Sequence, residues 1–138
     1  LMCSIFQHPF YPYSGTDKPA ANMCNVPLAA GSGGEEFRDA VLQVWTPRLK
    51  EFKPQMILLS AGFDGHYEDD MGGLRLFEKD FAWCTEHLKK LAAEMAAALL
   101  YGDIQDILAQ GMQNYLHHFL GQTAELDALL HTAYMEAL

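Results

Sequence analysis

The stretch MILLSAGFDGHYEDDMGGL, residues 56–74, decides how this chain is read. Met56 to Ala61 is a continuous apolar run, the pattern of a strand covered on both faces of a parallel sheet. Gly62 follows, then Asp64, His66, Glu68, Asp69 and Asp70, and then Gly72-Gly73. In open α/β sheets, ligands bind beyond the carboxyl ends of the strands, where the loops diverge. Asp64, three residues past Ala61, falls in that position, where an ionised carboxylate is a hard oxygen ligand or a general base. A lone Asp at a strand exit more often caps a loop or turn, so a site needs partners beside it.

Upstream, Leu1 to Phe6 reads as a short strand, and residues 7–34 as a long loop rich in proline and glycine. Loops of this length inside a compact domain tend to be functional. Phe10, Tyr11 and Tyr13 crowd HPFYPYSG, either as rings over the end of a sheet or as the wall of a pocket. Gly33-Gly34-Glu35-Glu36 opens a helix, its glutamates placed where the helix dipole favours negative charge. Phe37, Val41, Val44 or Trp45, Leu49 and Phe52 recur at helical spacing, with Pro47 as a kink and Pro54 as the stop. Strand, helical crossover and strand make a βαβ unit, which predicts an α/β architecture. A second helix is expected from Glu78 to Met95, with Phe81, Cys84, Leu88, Leu91 and Met95 facing inward. Ala96 to Leu138 reads as two or three helices broken near Gly102, Gly111 and Gly121. The division expected is therefore residues 1–95 and a helical extension, 96–138.

The length of 138 residues is enough for one domain, and a 50% hydrophobic composition supplies a core. A net charge of −9 argues against a nucleic-acid face, which needs clustered Lys and Arg, and is compatible with a basic or acylated-amine substrate. Cys3, Cys24 and Cys84 are odd in number and lack metal-ligand spacing, so a reducing, cytoplasmic compartment is expected. No stretch reads as a signal peptide or a membrane span. The chain opens Leu1-Met2-Cys3 directly on a strand-like run, which suggests a piece of a longer chain.

Asp64 and His66 would form an Asp-x-His metal pair if the segment were extended, because alternate residues then point the same way. Two ligands fall short: catalytic zinc takes three protein ligands and keeps one position open. His8, His87, His117, His118 and His131 show no metal spacing among themselves, and His117-His118 reads as a solvated or half-buried pair on a helix.

SAGFDGHYEDDMGGL closely resembles the second metal-ligand motif of the zinc-dependent histone deacetylase family. The likeness is to its class II-like bacterial branch, whose amidohydrolases act on acetyl-lysine and acetylpolyamines. QHPFYPYSGT, NVPLAAGSGGEEF and KPQMILLSAGFD continue the resemblance, which covers about residues 1–94. It implies a partial three-layer, parallel-sheet α/β fold of the arginase–deacetylase type, followed by the helical C-terminal tail. Carried over residue by residue, it makes Asp64 the carboxylate ligand of the catalytic zinc and leaves His66 where the family has no ligand. Ser4 and the carbonyl of Ile5 fall where the family binds a structural monovalent cation such as potassium. Tyr11, with Phe10 as the competing choice, falls near the aromatic wall of the acyl-lysine tunnel, where the family usually has phenylalanine.

The sequence also departs from the family. The other two zinc ligands lie on an Asp-x-His segment amino-terminal to the strand that opens this chain, and the paired catalytic histidines lie further upstream; none is present here. After the helix ending near Met95, the family continues into another strand and a Gly-Gly-Tyr turn whose hydroxyl stabilises the oxyanion. MAAALLYGDIQDILAQG does not align to that turn, and Tyr101-Gly102 is in reverse order. The expectation is part of a deacetylase acting on an acetylated lysine peptide or an acetylpolyamine, inactive as this isolated chain. The alternative is a non-catalytic deacetylase-like scaffold whose helical tail mediates protein interaction or homo-oligomerisation.

Overall fold

Strand β1, Met2–Gln7, pairs in parallel with β2, Met23–Leu28, in a register running from Met2↔Met23 to Gln7↔Leu28. The computed structural model describes residues 1–102. Within them, helix α1 (Gly34–Ala40) passes through a π turn, Val41–Trp45, into α2 (Thr46–Phe52). Strand β3, Met56–Ser60, leads to helix α3 (Glu78–Glu94) and to strand β4, Ala98–Gly102, which pairs in parallel with β3. Parallel strands and covering helices make the chain α/β, as the sequence predicts.

Four expectations are corrected here. Residues 7–34 are not a continuous loop, because β2 lies within them. Proline hid it: Pro27 lacks a donor, yet its position faces away from β1, since Asn22 and Leu28 are the residues whose carbonyls accept from β1. An edge strand tolerates proline on its outer side. Ala98–Gly102 is a strand and not the start of a helical tail, so the strand that the family resemblance calls for after α3 is present; residues 103–138, with the rest of the expected tail, lie outside the described residues. β1 and β3 are not hydrogen-bonded neighbours: the described strands form two pairs, β1-β2 and β3-β4. The βαβ unit whose strands pair is therefore β3–α3–β4. Finally, β3 is not covered on both faces among the described residues, since Leu58 is 52% exposed while Ile57 is buried.

The first helix begins as its sequence directs. Glu36 accepts the Gly33 N–H at 2.9 Å, satisfying a donor that the first turn leaves unpaired. Pro47 cannot donate to the preceding turn, and the distortion sits just before it: Thr46 donates its backbone N–H to Val41, a π-type bond, and its hydroxyl bonds to the same carbonyl at 2.9 Å. Lys53, in a left-handed conformation, closes the helix by donating to Leu49, ahead of Pro54. Phe37, Val41, Trp45 and Leu49 keep one buried face through the π turn, whereas Phe52 is exposed, contrary to the periodic reading. That face meets Cys84, Leu88, Leu91 and Ala92 of α3, together with Ile57, Cys24 and Leu28 from the strands. Burying each large side chain stabilises the fold by about 1.5–3 kcal/mol.

The stripe read for α3 missed its most buried member. Asp80 is fully buried, accepting the Phe77 N–H at 2.9 Å and an Arg38 guanidinium N–H at 2.5 Å. It caps α3 and ties it to α1. Arg38 also stacks over Trp83, whose ring lies parallel to that of His87.

Candidate functional site

Asp64 sits just beyond the end of β3, on a single 3₁₀ turn, Phe63–Gly65. The turn is fastened to the segment Leu74–Leu76: Leu76 donates to Gly65 and Tyr67 donates to Leu76. Two glycines leave room for Asp64. A Cβ at Gly62 would lie 2.8 Å from Asp64 Oδ1, and a Cβ at Gly72 would lie 2.4 Å from the Asp64 carbonyl oxygen. Both are shorter than real Cβ contacts, so a side chain at Gly62 would push the Asp64 carboxylate aside and one at Gly72 would force the backbone to move.

Asp64 is exposed and lines a cavity of about 760 Å³, within the range of small-molecule sites. Two of the other acidic residues of the cluster are engaged elsewhere, and Asp70 is exposed. Asp69 accepts the N–H groups of Met71 and Gly72 at 2.8 and 3.0 Å, which hold its carboxyl below the usual carboxylate range. Glu68 accepts the Tyr67 hydroxyl at 2.8 Å, which raises the Tyr67 phenol. Asp64 takes no part in these contacts and is left facing solvent.

His66 does not join Asp64. Its Nδ1 accepts the Glu68 N–H at 3.3 Å, its Nε2 lies 3.7 Å from Glu78, and its ring packs among Tyr67, Phe77 and Phe81. The Asp-x-His pairing required an extended segment, but the intervening 3₁₀ turn destroys the alternation. Among the described residues, no three His, Cys, Asp or Glu side chains gather as a possible metal site.

Ser4 and Ile5 occupy the middle of β1, opposite Asn25 and Val26, and both line the same cavity as Asp64. Phe10 and Tyr11 also line it, exposed at 39% and 80%. The five residues to which the family resemblance gives a role thus border one cavity, and His66 does not.

Three features of the site had weak signals or none. Gln7 accepts the Gly73 N–H at 2.6 Å, joining the end of β1 to the glycine pair of the opening stretch. The buried indole Nε1 of Trp45 and the Oδ1 of Asn25 lack hydrogen-bond partners among the described residues, although both side chains line the cavity. Cys3 and Cys24 face each other across the β1–β2 ladder; burial, reinforced by Cys24, pushes the Cys3 thiol up to about 12. Cys84, buried against the same core, is pushed up to about 11. Thiols held this firmly protonated are poor nucleophiles and poor metal ligands.

The sequence profile of the histone deacetylase domain matches residues 1–103. The type-2 histone deacetylase 2 of Dictyostelium discoideum is 37% identical over 92 residues, covering 60% of this chain and 5% of that protein. A probable deacetylase of Archaeoglobus fulgidus is 32% identical over 117 residues, covering 80% of this chain and 32% of that protein. Among solved structures, the HDA15 HD domain superposes with a TM-score of 0.60 at 24% identity, covering 76% of this chain and 32% of that one. The chain thus spans about a third or less of the length of these relatives.

Proposed function

This chain is a member of the histone deacetylase family, and on that footing we propose that it contributes a zinc ligand, Asp64, and an aromatic mouth to a site hydrolysing acetyl amides. The observation that carries the reading is an exposed carboxylate just past a strand end, cleared by two glycines and opening on a cavity. The family is generally zinc-dependent and acts on acetylated substrates.

The residues present fit one position of a zinc ligand set: Asp64 is anionic, hard and accessible. They do not fit the whole set, because no second ligand joins it among the described residues. Zinc held there would act as a Lewis acid on the acetyl carbonyl. The remaining ligands and the catalytic histidines would come from outside residues 1–138, so the chain alone would be inactive.

In this reading Phe10 and Tyr11 flank the acyl group as it enters, and their exposure at the cavity supports that role. Ser4 and the Ile5 carbonyl would hold a monovalent cation such as potassium behind the site. The substrate would be an acetylated lysine peptide or an acetylpolyamine, both cationic, and the net charge of −9 favours their approach. The same charge speaks against a nucleic-acid partner. No helix among the described residues is long and apolar enough to cross a membrane; a cytoplasmic setting is supported by three free cysteines. The alternative is a non-catalytic deacetylase-like scaffold whose residues 103–138 would serve protein interaction or self-association.

A chimera tests the assignment of Asp64. Residues 1–103 would replace the matched segment of the Archaeoglobus fulgidus relative, with zinc content and hydrolysis of an acetyl-lysine peptide as readouts. The chimera should be active. Asp64→Asn should weaken zinc binding by more than the roughly 10–100-fold expected for an outer-shell group. An active chimera that keeps its zinc and its rate after Asp64→Asn would refute the assignment.

A further inference from the structure

Cys3 and Cys24 are Cα partners in the parallel ladder of β1 and β2. Side chains at partnered positions of a parallel pair rise from the same face of the sheet. Both therefore point to the side where Cys24 enters the buried core and Cys3 packs against it. The two thiols are close enough to interact electrostatically.

Neighbouring strands lie roughly 4.7–4.9 Å apart, inside the range of about 4.4–6.8 Å that disulfides span between Cα atoms. With the side chains parallel, the Cβ atoms are separated by about the strand spacing, beyond the disulfide mean of about 3.8 Å. A bond closes only if the strands tilt together, and strain of that kind makes a disulfide easier to reduce. The register thus favours a reversible bond over a permanent one.

The two thiols differ in access. Cys3 is half-buried and lines the cavity, whereas Cys24 is 6% exposed and does not line it. Cys84 also borders the cavity but stands on α3, outside the ladder. Free cysteines otherwise serve as small apolar core residues, and Cys84 fits that description. The three cysteines do not gather as a metal cluster among the described residues.

We propose that Cys3 and Cys24 are a peroxide-responsive modification site, closing as a disulfide that cross-links β1 to β2. Hydrogen peroxide reaching Cys3 from the cavity oxidises its sulfur to a sulfenic acid; the O–O bond breaks and one water is released. The Cys24 sulfur then attacks the Cys3 sulfur. The S–S bond forms, and the sulfenic oxygen leaves as a second water with the Cys24 proton. Together the two sulfurs lose two electrons, which reduce the peroxide. Burial slows the first step, so the pair responds to sustained exposure. Thiol exchange in a reducing compartment resets the bond, as it does for transient intracellular disulfides. The site depends on the ladder register and not on Asp64 being a zinc ligand.

The test exposes the full chain to millimolar hydrogen peroxide, blocks the remaining thiols with iodoacetamide in urea, and measures the mass. The chain should lose the two hydrogens of a disulfide, and only Cys84 should accept the alkylating agent. Cleavage before Asp17 and Asp39 should release residues 1–16 joined to residues 17–38. Links to Cys84 should be rarer than the Cys3–Cys24 link by about 100-fold or more in the folded chain. In urea, where loop closure alone favours the shorter loop, they should rise to within about tenfold of it. Reduced glutathione should return all three thiols. Cys24→Ser should leave Cys3 as a sulfenic acid that dimedone captures, and Cys84→Ser should leave the link intact. No link after prolonged exposure, the same pairing mixture with and without urea, or a link that glutathione does not reduce would each overturn the proposal. The unsubstituted chain decides the matter even if a serine variant does not fold.

Discussion

Asp64 owes its accessibility to what its neighbours lack. Gly62 and Gly72 approach it so closely that a methyl group at either would strike its carboxylate or its carbonyl. At Gly72 the obstacle is backbone, which cannot rotate away. Gly72→Ala should therefore destabilise the chain by about 1–3 kcal/mol, as overpacking does, measured as a lower urea midpoint. An unchanged midpoint would mean that the turn has slack that its geometry does not show. The position of Asp64 was legible in the sequence because an apolar run ending in Gly-x-Asp marks a strand exit. The fate of His66 was not: whether residues 64 and 66 share a side depends on the 3₁₀ turn at Phe63–Gly65, which no residue type in the segment announces.

Among the elements, the helices were more legible than the strands, for a physical reason. Helical periodicity survives a π turn, so Phe37, Val41, Trp45 and Leu49 were recognisable as one face. β2 carries proline, and β4 follows a helix in an alanine-rich run without turn signals, so pairing with a distant strand is what decides both. Asp80 passed unnoticed because a charged residue within an apolar stripe reads as an interruption. Its place three residues after Phe77, where a helix-start carboxylate can reach back to a free N–H, was the available signal. Asp80→Ala removes the cap and leaves Arg38, itself one-third exposed, without its partner. We expect a loss of about 2–4 kcal/mol in urea unfolding, with Asp80→Asn losing less because it can still accept the Phe77 N–H. Equal stability of all three proteins would remove Asp80 as the tie between α1 and α3.

At the scale of the molecule, the chain contributes two strand pairs, their covering helices and one well-placed carboxylate to a domain whose relatives are much longer. The family resemblance was legible because the motifs around Asp64 are dense. The separation of β1 from β3 was not, since strand order depends on which strands are present to pair. A structural zinc site draws about 10–16 kcal/mol from a complete ligand set, far beyond what one carboxylate supplies. Calorimetric titration of zinc into the purified chain is the most direct test. Our account predicts no stoichiometric uptake at micromolar concentration, and tight one-to-one binding would contradict it.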